Sequence, residues 1–306
     1  MDGVYWLSRK DSKGSHRLAY RHVLPSNDGS KASPVTVLFC NGFRSSMTSG
    51  TKAVALEDFC SKKEWEFCSF DYRGHGLSSG KFEDCTLTDW IRDASDILDH
   101  VLLTTKEDRK RVVLVGSSMG AWISIHLALR YNKSGSGNST KAECPVPIAG
   151  ILGIASGPDF LQDFYSLSSV EQKAEWKSNG IVHLPSRYGD PYPIPWSLVE
   201  DAAQHWGILL STKPILSKES PVASELSVRC PVRLLHGKCD EDISWEKSDE
   251  LVSLLKGSIP ENNKSKYATG SNDAILTLID DGDHRLSRPQ DIELLLFKLD
   301  ELVTSI

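Results

Sequence analysis

A chain of 306 residues is long enough for one large α/β domain with an inserted cap. The net charge of −6 gives no electrostatic basis for binding nucleic acid, and no apolar run approaches the ~20 residues of a membrane span. Seven cysteines without a C-x-x-C pair argue against a disulfide framework and favour a reducing compartment. We therefore expect a cytoplasmic protein, or a protein of the mitochondrial matrix if a transit peptide has been removed, and the sequence does not indicate an oligomeric state.

Strand-like and helix-like segments alternate along most of the chain. Apolar runs, often β-branched, predict strands at 4–8, 18–23, 35–39, 67–72, 111–115, 148–155, 232–236 and 275–279. Helical spacing of apolar residues predicts helices at 51–62, 87–101, 121–131, 247–255 and 292–303. This alternation predicts an α/β fold, with a mainly parallel central sheet covered by helices on both faces.

A G-x-S-x-G motif at 116–120 contains Ser118 and lies between a predicted strand and a predicted helix. In that position the motif is typical of the sharp turn that presents a nucleophilic serine at a helix N-terminus. The backbone N–H groups there stabilise developing negative charge. A second match at 76–80 contains Ser78, but a polar segment follows it instead of a helix. We therefore predict that Ser118 is a nucleophile and that Ser78 is a loop residue.

A nucleophilic serine needs a base, and the base needs an acid that orients it. In enzymes with this type of turn, the chain order is serine, acid, histidine. Three candidate acids, Asp240, Glu241 and Asp242, follow the predicted strand at 232–236. His284 is the only histidine after them, and it directly follows the last predicted strand. The order therefore predicts His284 as the base and leaves the acid open among the three.

An oxyanion hole needs two backbone N–H donors beside the nucleophile. The N–H of Met119 directly follows Ser118, and the N–H of Phe43 lies in the loop after the strand at 35–39, where Gly42 permits a turn. We predict that these two groups are the donors. The chain has no H-E-x-x-H motif, no Walker loop and no G-x-G-x-x-G after its first central strand, so neither a metal nor a cofactor is predicted.

Four other polar residues close to these motifs are expected to be structural. Asp71 and His75 belong to the loop after the strand at 67–72. His236 ends a strand and precedes the acidic group, and His126 lies in the helix after Ser118, where we expect it to pack.

Between residues 156 and 227 the alternation stops and aromatic residues become frequent. We predict that 156–227 is a helical lid, inserted into a core formed by 1–155 and 228–306. An aromatic-rich insertion over a serine offers an apolar wall to an acyl chain. Four tryptophans are accordingly predicted to contact the substrate: Trp122, Trp176, Trp196 and Trp206. The alternative is that the aromatic residues form only the lid's own core.

The whole chain resembles the α/β-hydrolase superfamily of serine hydrolases. The segment 71–78 is similar to the superfamily's loop after its fourth strand. Five segments resemble most the family of the mitochondrial α/β-hydrolase-domain palmitoyl-protein thioesterase and acyl-glucuronide esterase: 41–42, 50–53, 115–122, 230–237 and 282–285. Asn41 differs from that family, which has a proline there.

The resemblance implies an α/β-hydrolase fold with a lid insertion and a triad of Ser118, Asp240 and His284, which selects Asp240 among the acids. It implies hydrolysis of carboxylic esters or thioesters through an acyl-enzyme, as in a palmitoyl-protein thioesterase or an acyl-glucuronide-type carboxylesterase. The substrate would be a small-molecule ester or an acylated protein. Two alternatives remain: a small-molecule receptor on the same fold with slow turnover, and a monoacylglycerol-type lipase.

Overall fold

The computed structural model describes residues 3–25, 35–48, 50–104, 111–131, 148–187, 189–205, 228–256 and 273–306. Its strands are β1 (Tyr5–Asp11), β2 (Gly14–Val23), β3 (Val35–Cys40), β4 (Glu66–Phe70), β5 (Arg111–Ser117), β6 (Ile148–Ile154), β7 (Ile181–Leu184), β8 (Tyr192–Pro195), β9 (Val232–Gly237) and β10 (Ala274–Ile279). Its α-helices are α1 (Thr51–Lys62), α2 (Leu87–Thr104), α3 (Met119–Tyr131), α4 (Phe160–Leu167), α5 (Val170–Asn179), α6 (Trp196–Ala202), α7 (Glu246–Leu255) and α8 (Pro289–Ser305). No helix within these ranges combines the length and the apolar character needed to cross a bilayer.

Eight of the strands form one sheet in the order β1-β2-β4-β3-β5-β6-β9-β10. The pairs β1–β2 and β2–β4 are antiparallel, and every later neighbour pair is parallel. In the register of the sheet, Gly116 of β5 lies between Cys40 of β3 and Gly153 of β6. The mainly parallel sheet predicted from the alternation is confirmed, and Ser118 follows the carboxyl end of one of its central strands.

Helices cover both faces of this sheet. Along β3, Val37 and Phe39 pack in the apolar cluster that includes α1 and α8, whereas Leu38 and Cys40 pack in the cluster that includes α2, α3 and α7. This alternation follows from the period of two along a strand. Because the central parallel strands are buried on both faces, their sequences are continuous apolar runs.

The described residues between β6 and β9 form no part of the main sheet. They contain α4, α5, α6 and a separate antiparallel pair, β7 and β8. The described part of the predicted helical lid thus contains a small two-stranded sheet beside its helices. Pro193 and Pro195 obscure the strand pattern of β8 in the sequence, yet a two-stranded sheet has only edge strands, and an edge strand tolerates proline. Residues 206–227 of the predicted lid lie outside the described residues.

Candidate active site

Ser118 is the single residue between β5 and α3, and its φ of 53° lies in the left-handed region. A non-glycine residue keeps that conformation only where its surroundings hold it, and the N–H of Ser118 donates to the carbonyl of Ile154 at 2.8 Å. A Cβ on Gly116 would lie 2.4 Å from the carbonyl of Gly120, and a Cβ on Gly120 would lie 2.0 Å from the carbonyl oxygen of Cys40. Both glycines of the G-x-S-x-G motif are therefore steric requirements of the turn.

A chain of hydrogen bonds leads from Ser118 to a buried carboxylate. Oγ of Ser118 lies 3.1 Å from Nε2 of His284, and Nδ1 of His284 lies 2.7 Å from Oδ2 of Asp240. The other carboxylate oxygen of Asp240 accepts the backbone N–H groups of Asp242 and Ile243, at 2.9 and 2.8 Å. Of the acids that the chain order leaves open, Asp240 is thus the one that contacts His284.

His236 also contacts this carboxylate, although the sequence predicts only a structural role for it. Nε2 of His236 lies 3.0 Å from Oδ2 of Asp240, and Nδ1 lies 2.7 Å from Oγ of Ser248. Burial raises the pKa of Asp240, but hydrogen bonds from His236 and His284 outweigh it, so the pKa lies well below its ordinary value. The only signal in the sequence is a His-Gly pair at the end of β9, four residues before the acid.

Asp240, Asp242 and His284 present possible metal-ligand atoms that all lie within 4.8 Å of one another. In the described part of the chain this is the one such cluster of histidine, cysteine and acidic side chains. Both ring nitrogens of His284 already lie within hydrogen-bond distance of Ser118 or Asp240. A metal ion bound by His284 would have to displace one of these two contacts.

The two predicted oxyanion donors lie next to the nucleophile. Met119 is the first residue of α3, so its N–H has no acceptor within the helix. Phe43 follows Gly42, where an added Cβ would lie 3.6 Å from the Cβ of Ser118, so the loop after β3 passes close to Ser118. Within the described residues neither N–H donates a hydrogen bond. Both groups are therefore available to an oxygen of a bound molecule.

A cavity of about 960 Å³ opens over Ser118 and His284. One part of its lining is apolar and aromatic: Phe43, Phe160, Phe164, Tyr192 and Ile243. The ring of Phe43 stands edge-on to those of Phe160 and Tyr192, with centroids 5.3 and 5.5 Å apart. The sequence predicts an aromatic wall from the insertion, which supplies Phe160, Phe164 and Tyr192, but it does not single out these three residues. Phe43 and Ile243 come from other parts of the chain.

The rest of the lining is rich in charge and includes Arg44 and Lys52. The guanidinium of Arg44 lies 5.4 and 5.9 Å from the ring centroids of Phe82 and Tyr192. The ammonium of Lys52 donates to the carbonyl of Arg285, and burial lowers its pKa to about 8. Asp283 and Asp291 attract the Lys52 ammonium electrostatically, but no described carboxylate lies within 4.0 Å of the nitrogen atoms of either cation.

Three of the four tryptophans predicted to contact the substrate are described in the structure, and none of these three lines the cavity. Trp122 is fully buried, with its ring edge-on to Phe160 at 5.8 Å. The Nε1–H of Trp176 donates to the carbonyl of Ile194, and its ring centroid lies 6.2 Å from that of Trp196. These three residues pack into the protein core or into the core of the insertion, which keeps them out of the cavity lining. Trp206 lies outside the described residues.

Ser78, in the second G-x-S-x-G match, lies in a loop as predicted. Its hydroxyl donates to the carbonyl of Asp71 at 2.5 Å and accepts the N–H of Ala19 at 2.9 Å. These contacts join the loop after β4 to β2.

The chain is similar in sequence to proteins of a known family. The family model of the serine aminopeptidase S33 family matches residues 33–138. The mitochondrial palmitoyl-protein thioesterase ABHD10 of Mus musculus is 32% identical over 304 residues, covering 98% of this chain and 86% of the relative. The Homo sapiens protein of the same name is 28% identical over 94% of this chain and 76% of its own length.

The chain is also similar to solved structures. A putative hydrolase from Agrobacterium vitis S4 has a TM-score of 0.77 at 28% identity and covers 98% of both chains. Mouse α/β-hydrolase domain-containing protein 10 has a TM-score of 0.72 at 30% identity, covering 99% of this chain and 98% of its own. The chain therefore belongs to the α/β-hydrolase superfamily, and it is a serine hydrolase of that fold related to the ABHD10 thioesterases.

Proposed function

We propose that this protein cleaves carboxylic esters or thioesters through an acyl-enzyme on Ser118. His284 removes the proton of the Ser118 hydroxyl as the oxygen attacks the acyl carbon, and Asp240 orients and stabilises the imidazolium. The N–H groups of Phe43 and Met119 stabilise the oxyanion. His284 then gives the proton to the departing alcohol or thiol, and a water molecule activated by His284 releases the acid.

One observation carries this proposal: the sequence of contacts from Ser118 Oγ through His284 to Asp240, at 3.1 and 2.7 Å, beneath an open cavity. The imidazole can accept the proton of the hydroxyl, and the carboxylate can stabilise the imidazolium that results. The depressed pKa of Asp240 supports its role, because an ionised carboxylate stabilises a histidine that becomes protonated.

For the acyl group, we propose a long aliphatic chain, as in a palmitoylated protein. The aromatic lining formed by Phe43, Phe160, Phe164 and Tyr192 supports this, since each methylene group removed from water adds about 0.8 kcal/mol of binding. The relatives are named palmitoyl-protein thioesterases. In this proposal 156–227 forms the lid on a core of 1–155 and 228–306.

A second candidate is an acyl-glucuronide-type carboxylesterase. It is favoured by Arg44 and Lys52, two cations in the cavity lining without a described carboxylate close enough to form an ion pair. A substrate with an anionic leaving group would supply that partner.

The compartment is part of the same proposal. The relatives are named mitochondrial, which favours the matrix over the cytoplasm as the location of this chain. All six described cysteines are unpaired, as a reducing compartment requires. Cell fractionation with matrix and cytosolic marker proteins would decide between the two.

The test is a substrate panel on the purified protein, with acyl chains from acetyl to palmitoyl as both oxygen esters and thioesters, and with acyl glucuronides. Steady turnover that is lost in Ser118→Ala supports the hydrolase, and preference for long-chain thioesters supports the thioesterase. One equivalent of product followed by a plateau would instead indicate a receptor with slow turnover. Preference for monoacylglycerol over all thioesters would indicate a lipase.

A further inference from the structure

The loop after β3, residues 41–47, carries the Phe43 N–H and is held by the neighbouring loop after β4. The side-chain amide of Asn41 donates to the carbonyl of Phe70 at 2.8 Å. At the far end of the loop, the N–H of Met47 donates to Oδ1 of Asp71 at 2.7 Å. The loop that carries the oxyanion donor is thus fixed at both ends by residues 70–71.

Between these two anchors the N–H of Ser45 donates to the carbonyl of Gly42 at 3.1 Å, and a further hydrogen bond reaches the middle of the loop from the loop after β4. The N–H of Arg44 donates to Nε2 of His75 at 3.1 Å. This N–H belongs to the peptide group that directly follows Phe43, so it sets the orientation of the chain at the proposed oxyanion donor. Arg44 has a φ of 55°, a conformation that a non-glycine residue keeps only when its surroundings hold it.

The surroundings of His75 select one tautomer. Nδ1 lies 3.2 Å from the carbonyl oxygen of Arg73, which can only accept, so Nδ1 carries the proton. Nε2 is then free of a proton and can accept from Arg44. Burial, with a smaller contribution from the nearby charge of Arg44, lowers the pKa of His75 to about 4, so the ring is neutral around pH 7.

Aromatic packing fixes the ring plane of His75. Its centroid lies 5.4 Å from Phe82 and 5.1 Å from Trp90, both in edge-on contacts, and the imidazole is only 4% exposed. The same two rings also pack edge-on against Phe43, at 5.1 and 5.9 Å. One rigid aromatic cluster therefore holds both His75 and the side chain of Phe43.

We propose that His75 is a positioning residue of the oxyanion hole, which holds the peptide after Phe43 through Nε2 and so directs the Phe43 N–H at the oxyanion. This inference rests on the proposed function and assigns His75 a role beyond packing. His75 is not part of the cavity lining, so it acts through the loop and not on the substrate.

Two variants separate the two hydrogen bonds of His75. In His75→Asn, the shorter amide can still donate to Arg73 but does not reach the N–H of Arg44. In His75→Gln, the longer amide places an oxygen near the position of Nε2 and keeps an acceptor for Arg44. We expect kcat of His75→Asn to fall by about 10- to 100-fold with an unchanged KM, and His75→Gln to recover most of it, since loss of a whole oxyanion donor costs about 10²–10³.

A trifluoromethyl ketone forms a tetrahedral oxyanion on the serine, so its affinity reports directly on the oxyanion hole. A residue that contributes only to packing would not change this affinity. The affinity of the ketone should fall in His75→Asn by the same factor as kcat/KM. His126→Leu is the control, because His126 has a similarly lowered pKa but its Nε2 makes no hydrogen bond with the described residues. In His126→Leu, the affinity for the ketone relative to the KM of the substrate should be the same as in the wild type.

Three outcomes would overturn the proposal: equal losses in His75→Asn and His75→Gln, a fall in kcat without a fall in ketone affinity, or a His75→Asn protein that does not fold. Each of them would make His75 a packing residue. Wild-type turnover, and its loss in Ser118→Ala, is measured in the same assay. A wild type without turnover contradicts the proposed function itself, whereas normal wild-type turnover with indifferent His75 variants contradicts only this inference.

Discussion

Nε2 of His236 lies 3.0 Å from Oδ2 of Asp240, the same oxygen that lies 2.7 Å from Nδ1 of His284. The carboxylate therefore stands between two imidazoles, and two backbone N–H groups hold its other oxygen. The side chain of Asp240 is fully buried, so these donors replace all of its contact with water. His236 is thus part of the surroundings that keep Asp240 charged.

Replacing His236 should shift the pH dependence of the reaction. In His236→Leu the buried carboxylate loses one donor, so the pKa of Asp240 rises and protonation begins at a higher pH. We expect the acid limb of kcat/KM to move to higher pH, so that the loss relative to wild type is larger near pH 5 than at pH 8, measured as a full pH–rate profile. Ser248→Ala, which removes only the partner of His236 Nδ1, is the control and should change the profile less. Superimposable profiles of His236→Leu and wild type would contradict this role.

The two G-x-S-x-G serines should respond in opposite ways to alanine substitution. Ser118→Ala removes the proposed nucleophile and should abolish labelling by a fluorophosphonate probe. Ser78→Ala should keep the labelling but lower stability by about 1–3 kcal/mol, because the buried N–H of Ala19 loses its acceptor. In-gel fluorescence and thermal melts measure the two effects. Labelling that persists in Ser118→Ala would rule out this serine.

The acids Asp240 and Asp242 offer a matched pair. Asp240→Asn should lower kcat on the order of 10⁴-fold, because an amide favours the wrong histidine tautomer. Asp242→Asn should cost less than about tenfold, since its carboxylate lies 3.6 Å from Arg187 and does not orient His284. Single-turnover kinetics with a short-chain thioester compare the two. A larger loss in Asp242→Asn would transfer the orienting role to that residue.

The aromatic lining of the cavity, formed by Phe43, Phe160, Phe164 and Tyr192, should determine how kcat/KM depends on acyl-chain length. In the wild type, kcat/KM should rise up to about fourfold per methylene group until the cavity is full, at about 0.8 kcal/mol each. Phe164→Ala should flatten this rise and leave acetyl esters nearly unchanged, because Phe164 lines the cavity. Trp176→Ala should lower stability by about 3–5 kcal/mol and keep the shape of the rise. If the rise of kcat/KM with chain length were lost in Trp176→Ala and kept in Phe164→Ala, Trp176 would be the residue that contacts the acyl chain.

Lys52 should make the binding of anionic substrates depend on pH. Burial lowers its pKa to about 8, so the ammonium is charged below that pH and neutral above it. The KM of an acyl glucuronide should therefore rise between about pH 7 and 9, while that of a neutral ester with the same acyl group should not. Lys52→Met should remove this difference. Parallel pH curves for the two substrates in the wild type would exclude a role for Lys52 in leaving-group recognition.

The sequence alone predicts the parts of the fold that local rules determine. The strand, tight turn and helix around Ser118 follow from glycine spacing and from apolar runs, and the alternation correctly predicts the mainly parallel sheet. The chain order predicts His284 as the base because it is the only histidine that follows the acidic group. Its proximity to Ser118 and Asp240 in the structure agrees with that order, and the catalytic roles stay predictions.

What the sequence could not predict depends on the direction of side chains after packing. Trp176 and Phe164 belong to adjacent helices of the same insertion, yet one turns inward to donate to Ile194 and the other lines the cavity. No periodicity distinguishes them. The contact of His236 with Asp240 likewise requires the turn after β9, which bends the acid back onto the strand end.

Ser118 and His284 are 166 residues apart in the chain, and His284 follows β10, the strand at the edge of the sheet. During synthesis, Ser118 therefore leaves the ribosome long before the histidine and the acid. Under the proposed mechanism, Ser118 has no base until the segments that carry Asp240 and His284 fold against it. A nascent chain would then have no activated serine to be acylated prematurely.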